Sequence, residues 1–213
     1  MSRLRCDAIL ADHLSQSSSV ERKGTNRVRI IAGVWRSRVL RFPTVPGLRP
    51  TPDRVRETLF NWLGQDLTGR RCLDLFAGAG ALGFEAISRG AAEVVMVEKS
   101  RVALRALREN AARLGADRLQ LVLDDALHFL AAPEVGSFDI VFVDPPYGTG
   151  LITGVLDRLP SVLRPGGLVY VESDSALRLE SPWQALRRAV AGAVYYQLVE
   201  FGDDDQGSLS GDL

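Results

Sequence analysis

Residues 144–147 read Asp-Pro-Pro-Tyr and follow directly on the apolar, β-branched run FDIVFV. A buried parallel strand has that composition, so it delivers a carboxylate, a stiffened carbonyl and an aromatic ring to the end of a sheet where α/β proteins bind ligands. The three groups suit an exocyclic amine on a nucleobase. Such an amine is a poor nucleophile because its lone pair is delocalised into the ring. If the Asp144 carboxylate and the Pro145 carbonyl each accept one of its N–H bonds, the nitrogen can pyramidalise and aim its lone pair at an electrophilic methyl. Pro145 and Pro146 keep the loop stiff, and Tyr147 offers a face on which an extruded base can stack. The plainer reading is a turn that ends a strand with a capping Asp, and the glycines upstream weigh against it.

Those glycines, Gly78, Gly80 and Gly83, match GxGxxG after one strand and at the start of a helix, where bare backbone amides meet the polar end of a ligand. Glu98 ends the next strand, placed to accept hydrogen bonds from ribose hydroxyls. On these residues alone a nicotinamide-dependent dehydrogenase and an adenosylmethionine enzyme stand level. Three features favour the second. Asp74, ahead of the glycines, suits the positively charged amino group of a bound amino acid. Asp124 and Asp125, at the end of the third strand, suit an adenine amine, Asp125 before Ala126 being the better candidate; a helix N-cap is an equal account of either acid. The Asp-Pro-Pro-Tyr loop has no evident use in hydride transfer.

The elements that must position these groups alternate. Strand, glycine turn and helix (RCLDLFAGAGALGFEAISRG) are followed by strand AEVVMVEKS and helix RVALRALRENAARLG, whose apolar stripe is expected at Val102, Leu104, Leu107, Ala111 and Leu114. Strand LQLVLDD, helix ALHFLAA, strand FDIVFVD, helix GVLDRLPSVL and strand GLVYVES continue the pattern. Such alternation predicts a mostly parallel sheet, and two strands around Gly192 close it as an antiparallel hairpin. Ahead of this unit, RVRIIAGVWRSRVLRF predicts a hairpin with Trp35 at its bend. In TPDRVRETLFNWLG a helix starts with Thr51 as its cap and Val55, Leu59, Phe60, Trp62 and Leu63 on its apolar stripe. The expected division is a disordered leader at 1–26, a basic hairpin and helix at 27–66, the main domain at 67–202 and a disordered acidic tail at 203–213.

The chain has 213 residues, 46% hydrophobic and 24% charged, enough for one substantial core. No apolar run is long enough for a membrane span and no signal peptide is evident. Cys6 and Cys72 lack the spacing of a disulfide framework or zinc site, so no metal is expected, and the cytoplasm is the simplest compartment. A formal net charge of zero hides a split. Residues 20–72 hold twelve Arg or Lys against four acids, and residues 73–213 hold twelve against twenty. The basic end points to a polyanion, with Arg36, Arg38 and Arg41 on the hairpin and Arg49, Arg54 and Arg56 near the helix as nucleic-acid contacts. The plainer readings are a solvated basic face and, for the helix, pairing with Asp53 and Glu57.

The segments RIIAGVWRSRVL, LRPTPDRVRETLFNWL, LDLFAGAGALGFEAISRG and VFVDPPY together resemble the bacterial 16S rRNA guanine-N2 methyltransferases of the RsmD type, over about residues 28–201. The resemblance implies a class I, Rossmann-like α/β methyltransferase with a seven-stranded sheet, using S-adenosylmethionine on one guanine of the small-subunit rRNA, in a 30S particle that is assembled or nearly so. By position it assigns Asp74, Gly78 and Gly80 to the methionine end of the cofactor, Glu98 to the ribose, and Asp125 and Ala126 to the adenine. Phe76, Ala77 and Lys99 lie beside them, with Asp144 completing the cofactor set. Asp144, Pro145, Pro146 and Tyr147 fall to the target base. A monomer is expected. The rivals are a DNA amino-methyltransferase, which shares the loop but needs a target-recognition domain not evident in so short a chain, and a non-catalytic rRNA-binding assembly factor.

Overall fold

The computed structural model describes residues 25–45, 50–132 and 136–202. Strand β1 (Thr25–Arg29) pairs antiparallel with β2 (Val39–Pro43), and helix α1 (Asp53–Trp62) follows. The alternating unit then runs β3 (Arg71–Asp74), α2 (Ala81–Ser88), β4 (Glu93–Glu98), α3 (Arg101–Leu114), β5 (Leu119–Leu123), α4 (Ala126–Leu130), β6 (Phe138–Val143), α5 (Leu151–Leu156) and β7 (Leu163–Ser173). Strands β8 (Trp183–Ala191) and β9 (Val194–Phe201) close it. The second sheet has the order β5-β4-β3-β6-β7-β9-β8. Strands β3 to β7 are parallel, and β9 is antiparallel to both β7 and β8. The chain moves outward from β3 through β4 to β5, then returns to place β6 on the other side of β3. That reversal is the topological switch at which open α/β sheets bind ligands.

The central strands are buried on both faces, which is why VVMV and IVFV read as unbroken apolar runs rather than alternating ones. Two hydrophobic clusters result. One joins the α1, α2 and α3 face to Ile140, Phe142, Tyr170 and Tyr196, and the other joins the α4 and α5 face to Val141, Val143, Val169 and Val171. Val28, Ile30, Leu40 and Phe42 of the hairpin and Val55, Leu59 and Phe60 of α1 belong to the first cluster. The core therefore runs across residue 66, and Trp62 stacks on Tyr196 at 5.3 Å.

Several local expectations change. Thr51 does not cap α1; Pro52 holds the N-cap position and the Thr51 hydroxyl is engaged elsewhere. On α3, Val102 is exposed and the buried face is Ala103, Leu104, Leu107 and Asn110. Asn110 is polar yet buried because its amide pairs with the backbone of Arg41 in β2, accepting from its N–H at 3.0 Å and donating to its carbonyl at 2.9 Å. The helix predicted over GVLDRLPSVL is shorter, breaking after Leu156 into a single 3₁₀ turn. Strand β1 begins at Thr25, inside the expected leader; the rest of that leader, 1–24, and the tail at 203–213 lie outside the described residues.

Helix α2 is buried on every side because the hairpin connection lies across it. Glu85 accepts the backbone N–H groups of Ile31 and Ala32 at 2.8 and 2.9 Å, and Ser88 accepts that of Trp35 at 2.9 Å. Gly33 passes so close that a Cβ there would lie 1.7 Å from the Ser88 carbonyl oxygen. A largely apolar helix with two polar residues three apart thus becomes the seat of the N-terminal hairpin.

Candidate active site

Five successive parallel strands deliver an acid to one edge of the sheet: Asp74 ends β3, Glu98 ends β4, Asp124 and Asp125 follow β5, Asp144 follows β6, and Glu172 lies next to last in β7. All of them border a single cavity of about 500 Å³ at the switch point. That volume is within the range of small-molecule sites.

The β3 to β5 side is built from backbone. Gly80 holds the N-cap of α2 with φ at +77°, and a Cβ there would meet Phe84 and Leu107 at 2.6 and 2.7 Å, so glycine is required on both counts. Asp74 is buried and accepts the Gly83 N–H at 3.1 Å, which fixes its carboxylate beneath the turn. Burial pushes its pKa up to about 7, against the pull of the Gly83 and Phe76 amides. Glu98 receives the Gly78 N–H at 2.8 Å and the Ser100 N–H at 2.6 Å, tying the glycine turn to the start of α3. Asp125 caps α4 through the Leu127 N–H at 3.0 Å, the alternative that its sequence context left open, and Asp124 bonds His128. Each carboxylate oxygen has two lone pairs, so these structural bonds leave acceptors on the cavity side. Phe76, Ala77, Gly78, Lys99 and Ala126 line the same cavity.

The donor set suits S-adenosylmethionine. A buried acid lies where an ammonium would sit, a second acid stands at the end of β4 where a ribose diol would come, and a third lies beside Ala126 for an adenine amine. The cavity surface otherwise consists largely of Leu75, Phe76, Leu82, Val97 and other apolar side chains.

The β6 to β7 side is denser in charge. Asp144 is half-buried and its Oδ2 accepts the Thr51 hydroxyl at 3.1 Å. Its pKa lies well above the usual carboxylate range, first through burial and then through the nearby Glu172, with the Thr51 bond pulling the other way. Glu172 is 3% exposed and receives two phenols, Tyr147 on Oε1 and Tyr170 on Oε2, each at 2.9 Å. Pro145 and Pro146 line the cavity between them, and Tyr147 is 44% exposed with its hydroxyl anchored to Glu172. Neither Thr51 nor Glu172 was legible as a site residue. The available signal for Glu172 was the repetition itself, an acid at the carboxyl end of every parallel strand.

Of the six arginines assigned to nucleic acid, Arg36, Arg38, Arg41 and Arg54 are exposed, and Arg49 lies outside the described residues. Arg56 is a correction. It is completely buried and spends its guanidinium on Asp53 at 2.6 Å, Glu85 at 3.4 Å and the carbonyls of Arg29 and Thr51, so it cannot reach a nucleic acid. Arg27 is also exposed and lies directly opposite Arg41 in the hairpin register. Trp35 is half-buried edge-on against Phe84, which leaves the exposed bend to Val34. A groove of about 370 Å³ runs beside Arg27 and Arg29 and shares Pro50, Thr51 and Pro52 with the main cavity.

A parallel sheet with this strand order, a glycine turn after its first strand and a ligand cavity at the switch point defines the class I, Rossmann-like methyltransferases. A putative methyltransferase structure from Escherichia coli, yhhF, superposes with a TM-score of 0.74 at 44% identity, covering 83% of this chain and 98% of that one. Residues 28–200 match the family described as conserved hypothetical protein 95, and the chain belongs to that family, the RsmD-type ribosomal RNA methyltransferases. The ribosomal RNA small subunit methyltransferase D of Escherichia coli is 44% identical over 83% of this chain and 91% of its own length, and that of Haemophilus influenzae is 40% identical over 81% and 93%. A more distant structure, the Thermus thermophilus 16S rRNA N2 G1207 methyltransferase RsmC bound to AdoMet and guanosine, has a TM-score of 0.62 at 26% identity, covering 83% of this chain and 49% of that one.

Proposed function

We propose that this protein transfers a methyl group from S-adenosylmethionine to the exocyclic N2 amine of one guanine in 16S rRNA, in a small ribosomal subunit that is assembled or nearly so, acting in the cytoplasm as a monomer. The observation that carries the reading is that Asp144 and Gly78 of the glycine turn, 66 residues apart, open into one cavity. The names of the relatives support rRNA as substrate, and the RsmC complex with guanosine supports the base.

Bound at the β3 to β5 side, the cofactor supplies a methyl carbon made electrophilic by its sulfonium. Asp74 would take its ammonium, Glu98 its ribose hydroxyls and Asp125 its adenine amine. The protein's own part is alignment. Asp144 accepts one N2–H bond and the Pro145 carbonyl the other, so the lone pair turns away from the ring system. Thr51 holds Oδ2 of Asp144 in place, which directs Oδ1 to the amine. The Tyr147 ring, fixed through its hydroxyl, flanks the base. Once methylated, the nitrogen carries one proton too many, and Asp144 is the nearest acceptor.

Radiolabelled methyl transfer tests this with undermethylated 30S subunits, free 16S rRNA and duplex DNA side by side. Label should appear as N2-methylguanosine in rRNA, and Asp144→Ala should lose at least about 100-fold in rate while cofactor affinity by calorimetry stays nearly constant. Label in DNA bases, or a fully active variant, overturns the assignment.

A further inference from the structure

The reaction proposed above uses the Asp-Pro-Pro-Tyr loop, but that loop serves any conjugated exocyclic amine and does not choose among guanine, adenine and cytosine. The choice has to come from a second group beside it. In the β6 to β7 ladder Val143 pairs with Val171, so one residue further on Asp144 and Glu172 stand next to each other at the ends of adjacent parallel strands. Register partners point to the same face, and both residues line the cavity.

Glu172 is an unusual group to find there. It is almost fully buried, and among the described residues neither it nor Asp144 takes part in an ion pair. Its two oxygens are held in a fixed plane by the Tyr147 and Tyr170 hydroxyls. Tyr170 is itself buried and packs on Tyr196, which Trp62 of α1 covers. Burial raises the pKa of Glu172, with the Tyr170 and Tyr147 bonds pulling the other way; as a carboxylate it only accepts hydrogen bonds, and the two phenols use two of its roughly four lone-pair positions. With no cation between them, Glu172 helps to hold a proton on Asp144, and a ligand that brings two adjacent donors favours the state in which both carboxylates accept.

Guanine is the nucleobase whose Watson–Crick edge does so, with N1–H next to the N2 amine. Adenine and cytosine place a ring nitrogen that is itself an acceptor beside their amines. We propose that Glu172 is the specificity-determining residue of the target-base pocket, accepting the N1–H of guanine while Asp144 accepts from N2. Opposed to adenine or cytosine, its lone pair meets another lone pair and a buried carboxylate stays unpaired. The cost of that mismatch rejects the base before alignment at Asp144 can occur.

This inference rests on the guanine-N2 reading above, and 2-aminopurine separates the two. It carries the same 2-amino group but has an unprotonated N1. Small subunits are reconstituted with 16S rRNA holding either guanine or 2-aminopurine at the methylated position, and kcat/KM is measured for the natural protein and for Glu172→Gln. The natural protein should prefer guanine by about 100-fold or more. Glutamine keeps the shape but presents either an acceptor or a donor, so Glu172→Gln should narrow the preference to less than about tenfold, through slower guanine and faster 2-aminopurine methylation. A protein that merely lost stability would slow on both. Equal use of both bases by the natural protein overturns the proposal whether or not the variant folds, as does a variant that keeps the full preference. Methylation at a site other than a guanine amine would instead refute the reaction on which the proposal stands.

Discussion

Asp74 sits where burial works against its charge. With its pKa raised to about 7, the folded protein retains a proton that the unfolded chain releases near the ordinary value of 3.8. Its contribution to stability is therefore fully present below about pH 3.8 and is lost as pH rises through about 7. Cofactor binding has the opposite sign, since an ammonium needs the ionised carboxylate. Affinity for S-adenosylmethionine should rise with pH through about 7 and level off roughly one pH unit higher. Calorimetry across that range checks it, with Asp74→Asn expected to bind more weakly and to lose the slope. A slope that survives in Asp74→Asn would move the proton elsewhere.

Among the elements, the link between hairpin and reacting centre runs through buried polar groups. Arg56 on α1 joins the Arg29 carbonyl, Glu85 on α2 and the carbonyl of Thr51, whose hydroxyl holds Asp144. Glu85 keeps Arg89 at 2.9 Å when Arg56 is removed, but a completely buried site is emptied and the carbonyls of Arg29 and Thr51 lose their donor, so Arg56→Ala should cost about 3 kcal/mol in urea unfolding. The exposed Arg54→Ala on the same helix should stay within about 0.5 kcal/mol. Replacing Glu85 by Leu as well should not restore stability, because Glu85 also satisfies the amides of Ile31 and Ala32. Full recovery in the double variant would show that the ion pair alone matters.

Over the whole molecule, charge is divided so that the arginine-rich hairpin stands beside the mouth of an acidic cavity. In the proposed reaction the cavity's acids would repel phosphate and favour base edges and a cationic cofactor, whereas the hairpin would attract the backbone. Arg27 and Arg41 face each other across the ladder, an arrangement that destabilises a hairpin unless an anion joins them. Replacing Arg36, Arg38 and Arg41 together by Ala should weaken binding to 30S subunits and lower the slope of log affinity against log salt by about two. An unchanged slope would place the docking surface elsewhere.

The chemistry-bearing loops were legible because their signals are local. The glycine spacing, the acids at strand ends, the Asp-Pro-Pro-Tyr turn and the apolar runs between them are set within a few residues, and they determined the parallel sheet and the two ends of the cavity. Three features were decided only by the tertiary structure. Arg56 reads as a surface cation, since nothing nearby in the chain reveals that Glu85, 29 positions on, will be buried against it. Thr51 reads as a helix cap, because its true partner lies 93 positions away. Glu172 reads as the end of a strand until the register of β6 on β7 sets it beside Asp144. Each depends on the pairing of remote segments, which burial of the whole core selects and no local preference encodes.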